Sequence, residues 1–186
     1  APNPHGHRMI HFAPGTIGAI VWLARNEARL GAIRAGMVLS NLGDPGAMHY
    51  KRSRQGAATV DRAAALVLGG LGGKVSEFEP YGYDERQYCS PGFNLPVGCL
   101  MRTPPGRYPE YHTSADNLDV IRPDVLAGSL ETCLAVVGVL EGNRRYLNQN
   151  PKGEPQLGTR GLYHQVGGRV AVDSDELARL WVLNLS

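Results

Sequence analysis

The chain has 186 residues, of which 42% are apolar and 19% are charged, and its formal net charge is +2. This length suits one hydrophobic core of ordinary size together with an appendage. The composition excludes a disordered tail and a coiled coil, and the small net charge argues against a protein that coats nucleic acid. We therefore expect a globular domain for which nucleic acid is not a partner.

Membrane and redox signals in the sequence are weak. The longest weakly interrupted apolar stretch, residues 63–73, is too short and too rich in glycine to cross a bilayer, so no membrane partner is expected. The chain does not open with the cationic and apolar segments of a secretion signal. Its three cysteines, Cys89, Cys99 and Cys133, are widely spaced, which is typical of reduced thiols. We therefore predict a cytoplasmic location.

The first quarter of the chain predicts a strand, a helix and a second strand. Residues 8–13 predict a short strand, and residues 16–30 carry the apolar stripe of a helix. Residues 36–42 predict the second strand, which ends at the Gly-Asp-Pro-Gly turn of residues 43–46. This order predicts a right-handed crossover that joins two parallel strands.

The alternation of strands and helices continues along the chain. Residues 48–53 predict an edge strand, and residues 59–68 predict a short helix that a cluster of glycines ends. The remaining predicted elements are strands at 75–78 and 95–102, loops at 80–94 and 103–117, an irregular arm at 148–160 and a helix at 173–185.

The longest predicted helix covers residues 123–141 and has Pro123 in its first turn, where the missing amide hydrogen costs nothing. The spacing of its apolar residues indicates one packed face. That predicted face consists of Val125, Leu126, Leu130, Cys133, Leu134, Val137 and Leu140.

These elements predict an α/β fold, with helices on both faces of a mainly parallel sheet. Ligands of such sheets bind beyond the carboxyl ends of the strands. Three loops follow predicted strands, at residues 14–15, 43–46 and 103–117. Functional residues are expected there.

Several common motifs are incomplete. Residues 68–75 suggest a phosphate-binding loop, but Leu68 replaces its first glycine and Val75 replaces its hydroxyl residue. The sequence contains no Gly-x-Ser-x-Gly nucleophile elbow. Three histidines near the start could hold an adventitious metal ion, although an unstructured polar arm explains them better: His5, His7 and His11.

Two side chains on the loops could carry chemistry. Asp44 ends the second predicted strand, where an aspartate either caps a turn or binds a ligand. His112 lies close to Asp116 in the sequence, and a carboxylate can orient the second ring nitrogen of a metal-bound histidine. The residues alone leave both alternatives open.

A longer pattern carries a family resemblance. Residues 81–102 (YGYDERQYCSPGFNLPVGCLMR) and 108–119 (YPEYHTSADNLD) resemble the aminopeptidase-like domain of bacterial proteins linked to polysaccharide biosynthesis. That domain is itself similar to zinc-dependent aminopeptidases of the bacterial leucyl type. Residues 12–20 (FAPGTIGAI) and 38–46 (VLSNLGDPG) stand before them in the expected order.

The resemblance implies a mixed sheet flanked by helices, with two zinc ions above the strand ends. The family's zinc ligands are two histidines, two aspartates and a glutamate, and a further glutamate acts as the general base. The paired ions would polarise the scissile carbonyl and lower the pKa of a bridging water. Only Asp44 and His112 match ligand positions in this chain, and Asp116 would support His112.

The resemblance also implies a group of substrate-binding residues, most of them in the loop at 80–94. These residues are Asp84, Glu85, Arg86, Tyr88 and Tyr111.

The sequence departs from the family pattern in two places. The segment that should carry the first histidine and the bridging aspartate lies upstream of residue 1, so the sheet is expected to be incomplete at its N-terminal side. Pro14, Gly15 and Thr16 occupy the positions of the adjacent acidic pair. Gly15 has no side chain to act as a base, and Thr16 is a poor replacement for a zinc-binding glutamate.

The predicted domains follow from this resemblance. Residues 8–147 would form the C-terminal part of the aminopeptidase-like domain, 148–172 an irregular arm, and 173–186 the start of a truncated winged-helix-like appendage. Strand edges left by the absent upstream segment predict pairing with another chain, so a homodimer is expected.

The sequence therefore predicts a fragment of a zinc aminopeptidase-like hydrolase, with weak or absent zinc binding and no activity of its own. Intact relatives would cleave an amide bond next to a free amine, in a small peptide, an aminoacyl compound or an amino sugar. The alternative is a non-catalytic module that binds a peptide or a glycan precursor. A third hypothesis, a DNA-binding regulator, is supported only by the predicted terminal helix.

Overall fold

The structure is a computed structural model that divides the chain into two units, Ala1–Gly142 and Asn143–Ser186. The residues that it describes are 15–144, 147–149, 151–153, 156–162 and 174–185.

Several predictions concern residues outside these ranges. The predicted strand at residues 8–13 lies there, and with it the crossover that would join it to the next strand. The three N-terminal histidines, His5, His7 and His11, also lie outside the described residues.

Five α-helices and four strands form the described part of the chain. The helices are α1 (Gly15–Arg25), α2 (Thr59–Leu71), α3 (Glu85–Tyr88), α4 (Pro123–Gly142) and α5 (Ser174–Leu185). The strands are β1 (Gly36–Leu39), β2 (His49–Lys51), β3 (Lys74–Ser76) and β4 (Val97–Met101). Short 3₁₀ helices lie at Glu27–Ala32, Leu118–Val120 and Gly158–Arg160.

The strands form one mixed sheet in the order β1-β4-β2-β3. β1 is parallel to β4 and β2 is parallel to β3, whereas β2 and β4 are antiparallel. The predicted α/β fold with a mixed, mainly parallel sheet is confirmed. The prediction of an edge strand at residues 48–53 is wrong, because β2 lies between β4 and β3 and pairs with both.

Helices cover both faces of the sheet, as predicted. On one face Tyr50 and Leu100 pack with α2 and α4 in a cluster that includes Leu68 and Val136. On the other face Val97 packs with α1 and the 3₁₀ helix that follows it. Val97 and Leu100 point to opposite faces because side chains alternate along a strand.

Helix α1 is shorter than the predicted helix at 16–30. The amide of the Asn26 side chain donates a hydrogen bond to the carbonyl oxygen of Trp22 at 2.8 Å. A side chain that bonds the last turn in this way competes with the backbone hydrogen bonds of a longer helix. The chain therefore continues as the 3₁₀ helix Glu27–Ala32.

A buried carboxylate joins β2 to the start of α2. Asp61 is fully buried and accepts hydrogen bonds from the Tyr50 hydroxyl at 2.9 Å and from the Ser53 hydroxyl at 2.6 Å. It also accepts from the backbone amides of Ser53 and Ala58. Burial and the adjacent Asp61 charge raise the pKa of Tyr50 well above its usual range. The Tyr50 hydroxyl therefore stays protonated and serves as a donor.

The packed face of α4 matches the predicted one only in part, because Cys133 and Leu140 pack against the core as predicted but three leucines do not. Its buried residues are Ser129, Thr132 and Val136, whereas Leu126, Leu130 and Leu134, which were predicted to be packed, are 47%, 59% and 59% exposed. The small side chains of Ser129 and Thr132 allow α4 to approach α2 and the sheet closely. The apolar stripe of leucines lies on the outer side of the helix.

The longest apolar segment of the described chain is helix α4 rather than the stretch predicted at residues 63–73. The helix has 20 residues and is, by length and overall composition alone, long and apolar enough to cross a membrane, although it contains Asp124, Glu131 and Glu141. The Ser129 hydroxyl nevertheless donates a hydrogen bond to the carbonyl oxygen of Leu42 at 2.7 Å, beyond the end of β1. In this structure the helix packs on the sheet.

Strand β1 forms an edge of the described sheet. The amides of Gly36 and Ser40 donate to the β4 side, to Pro96 and Leu100. Amides alternate in direction along a strand, so those of Met37 and Leu39 point away from β4.

Apolar side chains are exposed at this edge and on two helices. Leu39 at the end of β1 is 49% exposed, and large apolar side chains are exposed on both α1 and α4. Exposed strand edges and apolar patches of this kind promote association.

We expect the purified chain to associate with itself, as a dimer or as larger species, because strand pairing at β1 would bury the exposed apolar side chains beside it. Light scattering across a dilution series measures this. The variant Leu39→Lys, which puts a charge at the edge, should shift the equilibrium towards monomer. A monodisperse monomer of 20.1 kDa in the unmodified protein would contradict the expectation.

Candidate functional site

Asp44 lies in the loop after β1 and joins it to the loop after β4. Its side chain is 5% exposed. Oδ1 accepts hydrogen bonds from the Thr103 hydroxyl at 2.5 Å and from the Gly46 amide at 2.9 Å, and Oδ2 accepts from the Thr103 amide at 3.3 Å. The two loops meet because β1 and β4 are parallel neighbours. Asp44 therefore fixes the backbone at the carboxyl ends of two strands.

Gly46 and Arg102 complete this junction. A Cβ atom on Gly46 would overlap the Thr103 hydroxyl, so the position requires glycine. The Arg102 guanidinium donates to the carbonyl oxygen of Gly46 at 2.7 Å, to the Ser129 hydroxyl at 2.8 Å and to the carbonyl oxygen of Val125 at 3.0 Å. The loop after β1 is thereby bound to α4 as well as to the loop after β4.

A cleft of about 780 Å³ lies beside this junction. Besides Asp44, its lining includes the acidic side chains of Glu110 and Asp119 and one basic side chain, Arg122. Arg122 forms an ion pair with Asp124 at 3.1 Å, which offsets its charge. The cleft therefore carries an acidic balance that suits a ligand with a positive charge, such as a protonated amine.

His112 lies in an aromatic cluster at the edge of this region. It is exposed, has a left-handed backbone (φ 57°) and stacks on Tyr111 with ring centroids 4.0 Å apart. Tyr108, which lines the cleft, meets the Tyr111 ring edge-on at 5.4 Å. The three rings form a continuous wall that we call the aromatic wall.

Asp116 contacts the aromatic wall through a hydrogen bond with Tyr108. The Tyr108 hydroxyl donates to the Asp116 carboxylate at 3.0 Å. Burial raises the pKa of Tyr108 to about 12, with the hydrogen bond to Asp116 as the next cause. The sequence predicts that Asp116 supports His112, whereas in the structure its described hydrogen bond goes to Tyr108.

Tyr83 and Asn41 are further members of the site that sequence reasoning missed. The Tyr83 hydroxyl accepts a hydrogen bond from the Asn41 side-chain amide at 2.5 Å, and it also interacts with Ser40 and Tyr111. Asn41 follows β1 and has φ 47°, a left-handed conformation that is uncommon outside glycine and often marks functional loops. The signal in the sequence is the position of Asn41 just before the Gly-Asp-Pro-Gly turn.

The loop predicted to bind substrate is only partly placed for that role. Glu85 is fully buried and forms an ion pair with Lys51, so it does not line the cleft beside Asp44. Tyr88 packs on Trp22 of α1 with ring centroids 6.3 Å apart, and burial is the main cause that raises its pKa. Both side chains point into the protein because they have partners there.

The other three predicted substrate-binding residues lie nearer the surface. The carbonyl oxygen of Asp84 accepts from the amide of Gln87 in the first turn of α3, and Asp84 and Arg86 are half-buried. Tyr111 is half-buried within the aromatic wall. Their role in binding substrate stays a prediction.

The described residues do not fit a zinc centre. Among them, no group of three or more His, Cys, Asp and Glu side chains is placed to hold a metal ion. Both Asp44 oxygens already accept hydrogen bonds, and His112 stacks on Tyr111. Gly15 begins α1 with φ 66° and open space around its Cα, so no carboxylate stands at the position of the family's general base.

Comparisons with known proteins agree with this fold. Residues 1–143 match the family described as a domain of unknown function, DUF4910, and residues 144–186 match a winged helix-turn-helix family. A Clostridium acetobutylicum protein described as a polysaccharide biosynthesis protein with an aminopeptidase-like domain is 51% identical over 177 residues. The match covers 94% of this chain and 41% of that relative, so the chain spans about two fifths of its length.

Solved structures show the same likeness. A peptidase structure from Clostridium acetobutylicum has a TM-score of 0.79 and 48% identity, over 94% of this chain and 39% of that chain. An aminopeptidase from Aneurinibacillus sp. strain AM-1 (TM-score 0.54, 17% identity) covers 67% of this chain and 30% of its own. A zinc aminopeptidase from Bacillus subtilis (TM-score 0.53, 17% identity) covers 71% and 34%. At these low identities the last two show the fold alone.

The family match over residues 1–143, the identity to the Clostridium acetobutylicum protein and the shared fold identify the family. The chain belongs to the DUF4910 family, an aminopeptidase-like domain whose structural neighbours are zinc aminopeptidases.

Proposed function

We propose that this chain supplies the substrate-recognition wall of an aminopeptidase-like hydrolase and has no peptidase turnover of its own. The observation that carries the proposal is the Asp44 junction, in which Thr103 and Gly46 use both carboxylate oxygens to shape the cleft. A carboxylate held in this way stabilises the cleft without any further ligand. The name of the Clostridium acetobutylicum relative supports the class of reaction.

The chemistry of the cleft indicates the ligand. Glu110 and Asp119 supply negative charge beside Asp44, and the aromatic wall supplies apolar surface at the same opening. A ligand with a free amine and an apolar side group satisfies both. Small peptides, aminoacyl amides and amino sugars have this character.

The missing base explains the expected lack of turnover. A general base typically contributes about 10²–10⁴-fold to the rate of such a reaction. The start of α1 offers Gly15 and the hydroxyl of Thr16 at that position, and neither is a carboxylate. In this proposal the described residues bind and orient the amine-bearing ligand, and no proton transfer is assigned to them.

A non-catalytic binding module for a glycan precursor is the second candidate. The exposed side of the aromatic wall favours it, because planar aromatic rings present apolar surface that a polar cleft alone lacks.

The three cysteines are free thiols, which supports a cytoplasmic location for either function.

Leucinamide is the probe that tests recognition. We expect it to bind in a chemical-shift titration, with its amine near the cleft acids, and 4-methylpentanamide, which lacks the amine, to bind more weakly. The double variant Glu110→Gln/Asp119→Asn should weaken leucinamide binding by about fivefold, since exposed charge pairs contribute modest energies. The matched control Glu27→Gln removes an exposed acid from outside the cleft and should leave binding unchanged. Equal binding of the two amides would refute an amine site.

Zinc content tests the metal expectation. The purified chain should retain far less than one zinc ion per chain after dialysis against a mild chelator, because two ligand positions rarely hold an ion against water. Atomic absorption measures this. The variant His5→Ala/His7→Ala/His11→Ala removes adventitious binding by the N-terminal residues. Stoichiometric zinc that Asp44→Asn or His112→Ala abolishes would show that the site is complete.

Turnover is the remaining test. We expect no measurable hydrolysis of aminoacyl anilides by this chain, even with added zinc, because no carboxylate stands at Gly15. The variant Gly15→Glu should not restore activity, since the other ligand positions stay unfilled. A rate above background that is lost in His112→Ala would contradict the proposal.

A further inference from the structure

Lys51 places a charged group inside the protein, beneath the loop that carries Tyr83. Lys51 is 6% exposed, and its ammonium group donates to the carbonyl oxygens of Tyr81 at 2.6 Å and Glu79 at 3.2 Å. It also forms an ion pair with the carboxylate of Glu85, which is fully buried. Two donors of the ammonium group thus bind the loop before α3, and the ion pair joins Lys51 to the first residue of α3.

The loop is shaped around this ion pair. Gly82 lies between the anchored residues with φ 149°, a conformation that favours glycine. A Cβ atom at Gly82 would overlap both the Lys51 ammonium and the Glu85 carboxylate. The backbone therefore passes directly over the ion pair, and its path depends on it.

Tyr83 stands between the anchors at Tyr81 and Glu85 and reaches the aromatic wall at Tyr111. Its hydroxyl accepts from Asn41, just beyond β1, and interacts with Tyr111. Burial, followed by Tyr111, raises the pKa of Tyr83 above its usual range, so the hydroxyl stays protonated. Tyr111 in turn stacks on His112 and meets Tyr108 edge-on, as the centre of the aromatic wall.

We propose that the buried Lys51–Glu85 ion pair positions Tyr83, and through Tyr83 holds the aromatic wall in the geometry that binds ligand. Lys51 is thus a positioning residue for a cleft that it does not itself line. The inference rests on the proposed function only in its last step, the binding of ligand.

The energetics of buried ion pairs support a positioning role. Two apolar side chains of similar volume often replace such a pair without loss of stability, whereas removal of one partner leaves an unpaired buried charge. If Lys51 and Glu85 served only to stabilise the folded chain, two apolar side chains would therefore serve equally well. The two carbonyl oxygens bound by Lys51, in contrast, lose their donor in any apolar replacement, and the loop loses its anchors.

The test uses the full chain with ¹³C-labelled tyrosine rings and the double variant Lys51→Met/Glu85→Leu, which leaves no unpaired charge. We expect the ring signals of Tyr83 and Tyr111 to move and that of Tyr50, on the other face of the sheet, to stay in place. The variant Tyr83→Phe assigns the Tyr83 signal. The matched control Val136→Ala weakens the core behind Tyr50 and should leave the Tyr83 and Tyr111 signals unchanged.

Leucinamide titration supplies the functional measurement. The double variant should bind about tenfold more weakly, as expected for the loss of one well-placed contact. Tyr83→Phe keeps the ion pair and removes only the hydroxyl, so it tests the same connection if the double variant does not fold. It should shift the Tyr111 signal and also weaken binding.

The outcomes separate the two proposals. Unmoved Tyr83 and Tyr111 signals in a folded double variant would overturn the positioning role. Moved signals with unchanged leucinamide affinity would overturn the step from the aromatic wall to ligand binding. An unchanged Tyr111 signal in Tyr83→Phe would overturn the connection to the aromatic wall. If the unmodified chain does not bind leucinamide, the proposed function fails and with it the ligand-binding step of this inference, while the ring signals still decide whether Lys51 positions the wall.

Discussion

The pairing of β4 with both β1 and β2 is the interaction on which the rest of the structure depends. All five residues of β4 are buried. Leu100 packs with α2 and α4 on one face, and Val97 packs with α1 on the other. The carboxyl end of β4 leads directly to Arg102 and Thr103, which bind the loop after β1. One strand thus connects both halves of the core to the cleft.

Local signals were sufficient to predict most of the scaffold. The apolar run at residues 95–102 and the glycine cluster after α2 each identify an element without knowledge of its neighbours. Helix α4 shows where such signals end. Its apolar residues occupy more than one side, and the side that packs includes Ser129, whose hydroxyl donates to the carbonyl oxygen of Leu42 beyond β1. The Thr132 hydroxyl donates within the helix, to the carbonyl oxygen of Gly128. Residue spacing does not contain that information.

The candidate site divides in the same way. Asp44 and His112 could be singled out because they stand in family-like patterns on loops that follow strands, and their assignment as metal ligands stays a prediction. The burial of Glu85 could not be predicted from the sequence. A glutamate in a polar loop is ordinarily exposed, and its partner Lys51 belongs to a distant strand. Tyr83 and Asn41 likewise meet only in the folded chain. Polar contacts between separate elements are thus the part of the site that sequence reasoning misses.

The Asp44 junction bears on how recognition and catalysis relate in this domain. A buried carboxylate without donors would be costly, and a metal ion is one way to satisfy it. Here Thr103 and Gly46 satisfy it instead, and Arg102 fixes the same loop to α4. The shape of the cleft therefore depends on hydrogen bonds within the chain. The proposed recognition of an amine therefore does not depend on the residues for hydrolysis, because the shape of the cleft is held without them.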